Sequence, residues 1–258
     1  MAGVNGQHNR ETSRKRLARR ALERQLDYQE LKAAHVHGRE ADIIAAMQIS
    51  SKRVRELLES FKPIDADARV IEVGSGAHGL IFYFGSSNGI GVDPLAVSYA
   101  ALFPGWQRKA TTISAVGESL PFRDNSFDVV LCDNVVDHAE SPAQIAKELV
   151  RILKPGGLLY FTVNFHHGVY SVAASAHTLW RSAGIRYEIG PFADHTVHLT
   201  APAAAKLLEG LPIRKLAEKG GVEEAKALAR RRPPRHLGDR LKRLFFKNAL
   251  YEVVATKV

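Results

Sequence analysis

The sequence has very little cysteine and no long apolar run. Cys132 is the only cysteine in 258 residues, so no disulfide can form within the chain, and a cytoplasmic location is expected. No apolar stretch reaches the roughly 18 residues that a membrane-spanning helix needs. The arginine-rich start is not followed by the apolar segment of a secretory signal. These absences favour a cytoplasmic globular protein without a membrane span.

Groups of metal-ligating residues are also missing. His166 and His167 are adjacent in the sequence, and adjacent side chains in an extended loop point in opposite directions. Metal sites need several His, Cys or acidic ligands at fitting spacing. We therefore predict no metal, and we interpret His166 and His167 as candidate walls of a substrate pocket.

Positive charge is in excess and unevenly distributed. The formal net charge is +9, and arginine and lysine gather near residues 10–24 and 230–247. Such clusters indicate either a solvated basic surface or an anionic partner, such as nucleic acid or an anionic substrate. Two helices, predicted over residues 12–32 and 40–61, would pack over the ligand-binding edge of the domain that follows or form a dimer.

The central feature of the sequence is a short apolar strand followed at once by glycines. Val70–Val73 is predicted to form a buried strand. At Gly74 and Gly76 the missing Cβ lets the backbone turn and approach a ligand. A buried helix is predicted over Ala77–Phe84, with its N-terminal amides directed at that ligand. Strand, glycine turn and helix make up the first unit of a nucleotide-binding sheet.

An acidic residue ends the next predicted strand. Asp93 follows residues 89–92 and lies about twenty positions beyond the glycines, where a doubly wound sheet places the carboxylate that binds a ribose. The alternative is a simple turn made by Asp93 and Pro94. Because strand, glycines and acid are in register, we favour the ribose role.

Strands and helices then alternate along the chain. Further strands are predicted over residues 112–118, 127–132 and 158–163, with helices over 95–103 and from 142 to about 153, the latter with Ser141 as its N-cap. This alternation predicts an α/β fold, a doubly wound, Rossmann-like and mostly parallel sheet preceded by N-terminal helices.

Three further motifs complete a recognisable order. They are residues 117–122 (GESLPF), 125–128 (NSFD) and 153–157 (LKPGG). With the glycine loop and Asp93, they resemble a class I S-adenosylmethionine-dependent methyltransferase, most similar to the type 11 small-molecule branch. The resemblance covers about Val70 to Val163. It implies S-adenosyl-L-methionine as cofactor and a seven-stranded sheet with an antiparallel C-terminal strand. One departure is that the third glycine is Gly79, with His78 in the usual place.

The resemblance also implies roles for individual residues. Glycine-loop backbone would contact the methionine end of the cofactor, Asp93 its ribose, and Glu118 and Ser119 its adenine. The implied cofactor-binding set is Glu72, Gly74, Ser75, Gly76, Asp93, Pro94, Glu118, Ser119, Asp133 and Asn134. His138 lies where the family often has a histidine that faces the substrate. It is either a catalytic base, since histidine titrates near neutrality, or a residue that packs the loop.

Several functions remain open from the sequence. The first is methyl transfer to an oxygen, nitrogen or carbon atom of a small-molecule acceptor. The second is methylation of RNA or protein, with the basic segments binding the polymer. A different class would be an NAD-dependent oxidoreductase or a non-enzymatic nucleotide-binding module on the same fold. We predict a helical extension over residues 1–62 and a methyltransferase domain over 63–258, with a substrate-side insertion around 165–200.

Overall fold

The computed structural model describes residues 22–36, 38–165, 199–231 and 249–258. His166, His167, nearly all of the predicted insertion and most of the second basic segment lie outside these ranges. Of the first predicted helix, the part over residues 22–34 is described and is helical (α1). Among the described residues, no helix has both the length and the apolar character to cross a bilayer.

The elements follow one another in the predicted alternation. After α1 come α2 (Glu40–Glu59), β1 (Arg69–Val73), β2 (Asn88–Val92), α3 (Ala96–Leu102), the short α4 (Pro104–Gln107), β3 (Thr111–Ile113), β4 (Phe127–Asp133), α5 (Pro142–Ile152), β5 (Leu153–Phe165), α6 (Ala201–Lys206), β6 (Ile213–Gly220), α7 (Val222–Arg231) and β7 (Ala249–Lys257). Single 3₁₀ turns lie at Leu80–Tyr83 and Val136–His138.

The strands form one seven-stranded sheet in the order β3-β2-β1-β4-β5-β7-β6. The neighbouring strands from β3 to β5 pair in parallel, whereas β7 runs antiparallel to both β5 and β6. This confirms the predicted doubly wound sheet and its antiparallel C-terminal strand. The strand order reverses between β1 and β4. In such sheets ligands bind beyond the carboxyl ends of the strands at that point.

Apolar cores cover both faces of the sheet. On one face α5 contributes Ile145, Leu149 and Ile152, which are almost fully buried. On the other face α2 contributes Val54 and Leu58, packed with the 3₁₀ turn at Leu80–Tyr83. The α2 helix is therefore part of a core that it shares with the sheet. Burial of this kind stabilises by about 25 cal/mol per Å² of apolar surface.

The predicted helix over Ala77–Phe84 is wrong. Only the single 3₁₀ turn at Leu80–Tyr83 forms there. Gly79 precedes this turn in an extended conformation, and Gly85 follows it with φ +83°. The extended conformation of Gly79 and the left-handed conformation of Gly85 interrupt the helix on both sides, so a single turn forms between them.

The third predicted strand is shorter than expected. It ends at Ile113 and pairs with only Ile90–Val92 of β2. The Asp93 N–H still donates to the Ile113 carbonyl at 3.1 Å, but β2 itself ends at Val92. Residues 114–118 therefore have no strand to pair with on that side, and they turn toward the carboxyl edge of the sheet.

Candidate functional site

A cavity of about 420 Å³ opens at the carboxyl edge of the sheet, beyond β1, β2 and β4. Its apolar lining includes Val92, Ala115, Val116, Val135 and Ile145. Its other walls are formed by Leu22, Gln25, Val73, Gly74, Gly76, Asp93, Pro94, Tyr99, Gly117, Glu118, Asn134, Ala139 and Glu140. Size and mixed lining suit a cofactor-sized molecule.

The cavity gathers part of the predicted cofactor-binding set. Gly74, Gly76, Asp93, Pro94, Glu118 and Asn134 line it. Glu72, Ser75, Ser119 and Asp133 are not among the lining residues. Of these four, Glu72 and Ser75 are buried behind the glycine loop, and Ser119 is exposed to solvent. The direct binding roles of all ten remain predictions.

The glycine loop needs its glycines for two separate reasons. Gly74 and Gly76 have φ of +79° and +54°, the left-handed region that other L-residues rarely adopt. A Cβ at Gly74 would also overlap the side chain of Val135. The loop after β1 therefore passes directly under the loop after β4, and both loops contribute backbone to the same cavity.

Asp93 is held in place by backbone N–H groups. Its Oδ2 accepts from the Gly76 N–H at 3.0 Å, and its Oδ1 accepts from the Leu95 N–H at 2.8 Å. Burial raises the pKa of Asp93, while these two hydrogen bonds lower it. A carboxylate has about four lone-pair sites, so each oxygen can still accept one ribose hydroxyl from the cavity.

Glu72 supports the glycine loop from behind. Its Oε1 accepts from the Leu80 N–H at 3.1 Å and its Oε2 from the Ile81 N–H at 2.9 Å. The first amides of the 3₁₀ turn are therefore bound by this carboxylate, and they do not face the cavity as the sequence analysis expected. Burial raises the pKa of Glu72 to about 8, opposed by the two N–H donors and reinforced by the nearby Asp133 and Asp93.

This pKa predicts a pH dependence of stability. An acid whose pKa is raised on folding binds more protons when folded, so stability falls as the pH rises from about 4.5 to about 8. In Glu72→Gln this contribution is absent. Denaturant unfolding at pH 5 and pH 8 should show that the free energy of unfolding falls more between these pH values in the parent than in the variant. Glu56→Gln, on the exposed face of α2, is the control, and parallel losses in parent and Glu72→Gln would contradict the prediction.

Glu118 caps helix α5. Its Oε1 accepts from the Glu140 N–H at 2.9 Å and from the Ser141 N–H at 3.2 Å. A carboxylate is favourable at this positive end of the helix. Ser141 does occupy the N-cap position, but its side chain makes no capping hydrogen bond. The predicted N-cap position is thus confirmed, and the side chain that binds the backbone beside it is Glu118.

The loop after β4 places Asn134 in the cavity and turns Asp133 away from it. Asn134 has φ +56° and its N–H donates to Thr162 Oγ1 at 2.9 Å. Thr162 Oγ1 in turn donates to Asp133 Oδ1 at 2.5 Å. Burial raises the pKa of Asp133, and this hydrogen bond lowers it. Asp133 therefore holds β5 beside β4, and the exposed polar group at this strand end is Asn134.

Three lining residues come from helices and are not among the predicted site residues. Leu22 and Gln25 belong to α1, and Tyr99 belongs to α3. The Tyr99 phenol is hydrogen-bonded to Gln25, and burial together with the nearby Asp93 raises the pKa of Tyr99. The N-terminal helix thus covers the cavity, as one of the two sequence-based alternatives proposed. No local motif marks these three residues.

His78 packs against aromatic rings outside the cavity. Its ring centroid lies 5.0 Å from that of Phe103 and 5.4 Å from that of Trp106. Burial lowers the pKa of His78 to about 4, with a smaller effect of Lys32. Trp106 Nε1 also donates to the Ala77 carbonyl at 2.7 Å. The residue that departs from the family pattern therefore anchors the glycine loop as a neutral ring.

For His138, the predicted catalytic residue, the structure describes only the backbone. His138 ends the 3₁₀ turn Val136–His138, close to Ala139 and Glu140 of the cavity wall. Its role as a base remains a prediction, as do the pocket roles of His166 and His167. Within the ranges that the structure describes, no group of three or more His, Cys, Asp or Glu residues could hold a metal ion.

Comparison with known proteins supports a methyltransferase. Residues 71–161 match the family model described as "Methyltransferase domain". An uncharacterized methyltransferase of Mycolicibacterium vanbaalenii is 32% identical over 142 residues, covering 52% of this chain and 46% of that protein. A second uncharacterized methyltransferase, from Mycobacterium sp. strain JLS, is 31% identical over 170 residues, covering 65% of this chain and 56% of that protein. The chain spans about half the length of the curated relatives it matches.

Solved structures share the fold at low sequence identity. The YcgJ protein of Bacillus subtilis superposes with a TM-score of 0.54 at 16% identity, over 80% of this chain and 98% of that one. Geranyl diphosphate C-methyltransferase of Streptomyces coelicolor A3(2), solved with S-adenosyl-L-homocysteine, superposes with a TM-score of 0.57 at 13% identity, over 85% of this chain and 84% of that one. From its motifs, the family match and the sheet order, the domain around residues 71–161 belongs to the class I S-adenosylmethionine-dependent methyltransferases.

Proposed function

We propose that this protein transfers a methyl group from S-adenosyl-L-methionine to an oxygen, nitrogen or carbon atom of a small-molecule acceptor. The observation that carries the proposal is the Asp93 carboxylate. It is fixed at the cavity by the Gly76 and Leu95 N–H groups and keeps lone pairs for two ribose hydroxyls. It stands beside glycine backbone that a ligand can approach closely.

The other walls of the cavity fit the remaining parts of the cofactor. Ala115, Val116 and Ile145 form an apolar surface suited to a purine ring. On the opposite side, the Asn134 side chain and the Gly74 backbone suit a polar amino-acid end. The bound cofactor supplies the reactive methyl group. The residues of the chain bind it, orient it and, through Leu22 and Gln25 of α1, shield it from water.

Calorimetry tests the cofactor directly. The protein should bind S-adenosyl-L-methionine and S-adenosyl-L-homocysteine, and it should bind NAD much more weakly or not at all. The physical reason is that the cavity, at about 420 Å³, has one strand-end carboxylate, Asp93, placed for a ribose, whereas a dinucleotide has two riboses. Tight binding of NAD alone would overturn the proposal in favour of an oxidoreductase or nucleotide-binding module.

His138 is the proposed base when the acceptor must lose a proton. It follows β4 at the cavity edge, and an imidazole accepts protons near neutral pH. His138→Ala should lower turnover while leaving the dissociation constant of S-adenosyl-L-methionine unchanged. His35→Ala, at an exposed position after α1, is the matched control. Equal turnover in His138→Ala and the parent would assign His138 to packing of the loop.

A second class of methyl acceptor is also a candidate. Methylation of RNA or protein is supported by the net charge of +9 and by the two basic segments, which lie largely outside the described residues. Incubation of cell extract with S-adenosyl-L-methionine that carries a labelled methyl group separates the two classes. Label in small molecules supports the proposal. Label confined to RNA or protein would show that the methyl acceptor is a polymer and would overturn it.

A further inference from the structure

A second cavity lies at the same edge of the sheet, next to the cofactor cavity. It has a volume of about 400 Å³ and lies where β5 ends, β7 begins and β6 meets α7. Its lining residues are Arg53, Asn164, Lys219, Gly221, Glu224, Ala225, Ala249, Leu250 and Glu252. None of the predicted site residues is among them, so the functions assigned above leave this cavity unexplained.

One hydrogen bond connects the two cavities. The Asn164 N–H donates to Asn134 Oδ1 at 3.1 Å. Asn134 lines the cofactor cavity and Asn164 lines the second one. The family resemblance implies that Asp133 or Asn134 lies at the methionyl end of the cofactor, which carries the transferable methyl group, and of the two Asn134 lines the cavity. A molecule in the second cavity therefore sits on the side from which that methyl group would be accepted.

Arg53 gives the second cavity a fixed cation. Its Nη1 donates to Glu252 Oε1 at 2.9 Å, and its Nη2 donates to the Tyr160 hydroxyl at 2.8 Å. The Tyr160 hydroxyl donates to the same Glu252 oxygen at 2.8 Å. A guanidinium has five N–H donors, so Arg53 keeps donors for a ligand. About half of its side chain is exposed, compared with 16% for Glu252.

Lys219 and the side-chain amide of Asn164 can also contact a ligand in the second cavity. Lys219 pairs with Glu224 at 2.7 Å, but both side chains are more than half exposed, and such a surface pair contributes only about 0–1 kcal/mol. A ligand carboxylate can therefore replace Glu224 at low cost. The side-chain amide of Asn164 makes no hydrogen bond within the described part of the chain, so it can donate or accept.

The charge balance of the lining limits the ligand. Among the described lining residues, Arg53 and Lys219 are opposed by Glu224 and Glu252, so this part of the wall has no excess positive charge. A diphosphate, with several negative charges, would be repelled by the two carboxylates. A single carboxylate fits Arg53 and Lys219. The apolar part of the wall is aliphatic, formed by Ala225, Ala249 and the partly exposed Leu250.

We propose that the second cavity, through Arg53, Lys219 and Asn164, binds the methyl acceptor, and that this acceptor is a small aliphatic molecule with one carboxylate. The inference rests on the proposed methyltransferase function and narrows its substrate class. The carboxylate binds Arg53 and Lys219, the carbon chain lies on Leu250, and the reacting end points past Asn164 toward Asn134.

The experiment uses a pair of probes of equal chain length and similar shape, of which one is charged and the other neutral. Isotope-labelled protein saturated with S-adenosyl-L-homocysteine is titrated with hexanoate or with hexanamide and followed by nuclear magnetic resonance. Hexanoate should shift the backbone signals of Asn164, Gly221 and Leu250, and hexanamide at equal concentration should leave them in place. No shift with hexanoate, or equal shifts with both probes, would overturn the inference.

Variants locate the interaction. Arg53→Gln should raise the dissociation constant of hexanoate at least tenfold, and Lys219→Gln, at a more exposed position, should raise it about threefold. Lys52→Gln removes an equal charge from the neighbouring position of α2, where the side chain is exposed and pairs with Glu56, and it should have no effect. Because the Lys219 side chain is largely exposed, its variant keeps the test valid if Arg53→Gln folds poorly. Unchanged affinity in Lys219→Gln would contradict the inference.

The two proposals fail in different ways. If the protein binds S-adenosyl-L-homocysteine and hexanoate has no effect, only the acceptor class is wrong. If hexanoate binds and S-adenosyl-L-homocysteine does not, the methyltransferase proposal and the acceptor role both fall.

Discussion

Asp93→Ala is expected to weaken the binding of S-adenosyl-L-methionine by about 10- to 100-fold, or about 1.4–2.8 kcal/mol. The carboxylate has two tasks, and the variant loses both. In the proposed function it provides the acceptors for the ribose hydroxyls, and in the structure it ties the glycine loop to the start of α3 through the Gly76 and Leu95 N–H groups. Without it, these two donors lose their partner beside the ligand. Calorimetry measures the loss.

Two further variants separate these tasks. Asp93→Asn keeps one carbonyl acceptor and should give an intermediate affinity. Asp65→Ala removes an exposed carboxylate in the segment before β1 and should leave affinity unchanged. Thermal unfolding of all three shows how much of the effect is loss of loop structure. An Asp93→Ala protein with parental affinity would mean that the ribose does not bind at Asp93, and the cofactor orientation proposed here would be wrong.

Gly79→Ala is expected to lower the free energy of unfolding by about 1–3 kcal/mol or more. The conformation of Gly79 is ordinary, with φ −64°, so backbone strain is not the reason. A Cβ there would overlap Glu72 Oε2 and the Ser75 carbonyl oxygen. One is the acceptor that holds the Ile81 N–H, and the other is backbone with little freedom to move. Denaturant unfolding measures the change.

Gly220→Ala is the matched control. A Cβ at Gly220 meets no atom within 4 Å, so its effect should stay within about 0.5 kcal/mol. Equal stability of Gly79→Ala and the parent would show that the loop moves to accommodate a methyl group. It would also mean that the close approach of Glu72 is not required. The comparison thus tests why the third glycine of the motif stands at position 79.

Most of the sheet was predictable because its strands carry their own signals. β1 and β4 are short runs of branched apolar residues, and both are almost fully buried. The glycine loop and Asp93 were predictable for a related reason: a sharp turn and a strand-end carboxylate are local features with a fixed spacing. All of these signals lie within the sequence of a single strand and the loop that follows it.

The errors arise where distant residues decide the local structure. The Ala77–Phe84 segment has the composition of a buried helix, but Glu72 binds the first amides of the turn, and Gly85, with φ +83°, ends it after one turn. Ser141 is at the predicted N-cap position, but the side chain that binds the backbone there is Glu118, more than twenty residues earlier. Leu22, Gln25 and Tyr99 reach the cavity only because α1 and α3 pack against it. No local pattern contains that information.

The position of β7 has a consequence for how this chain is synthesised. In the described sheet β6 has one neighbour, β7, which follows it in the sequence and inserts between β6 and β5. Earlier strands can assemble while the ribosome is still translating, but β6 has nothing to pair with until β7 emerges. Until then, the open backbone of β5 and β6 is exposed to other chains. Pairing of β6 with the rest of the sheet is thus a late step, because it requires β7.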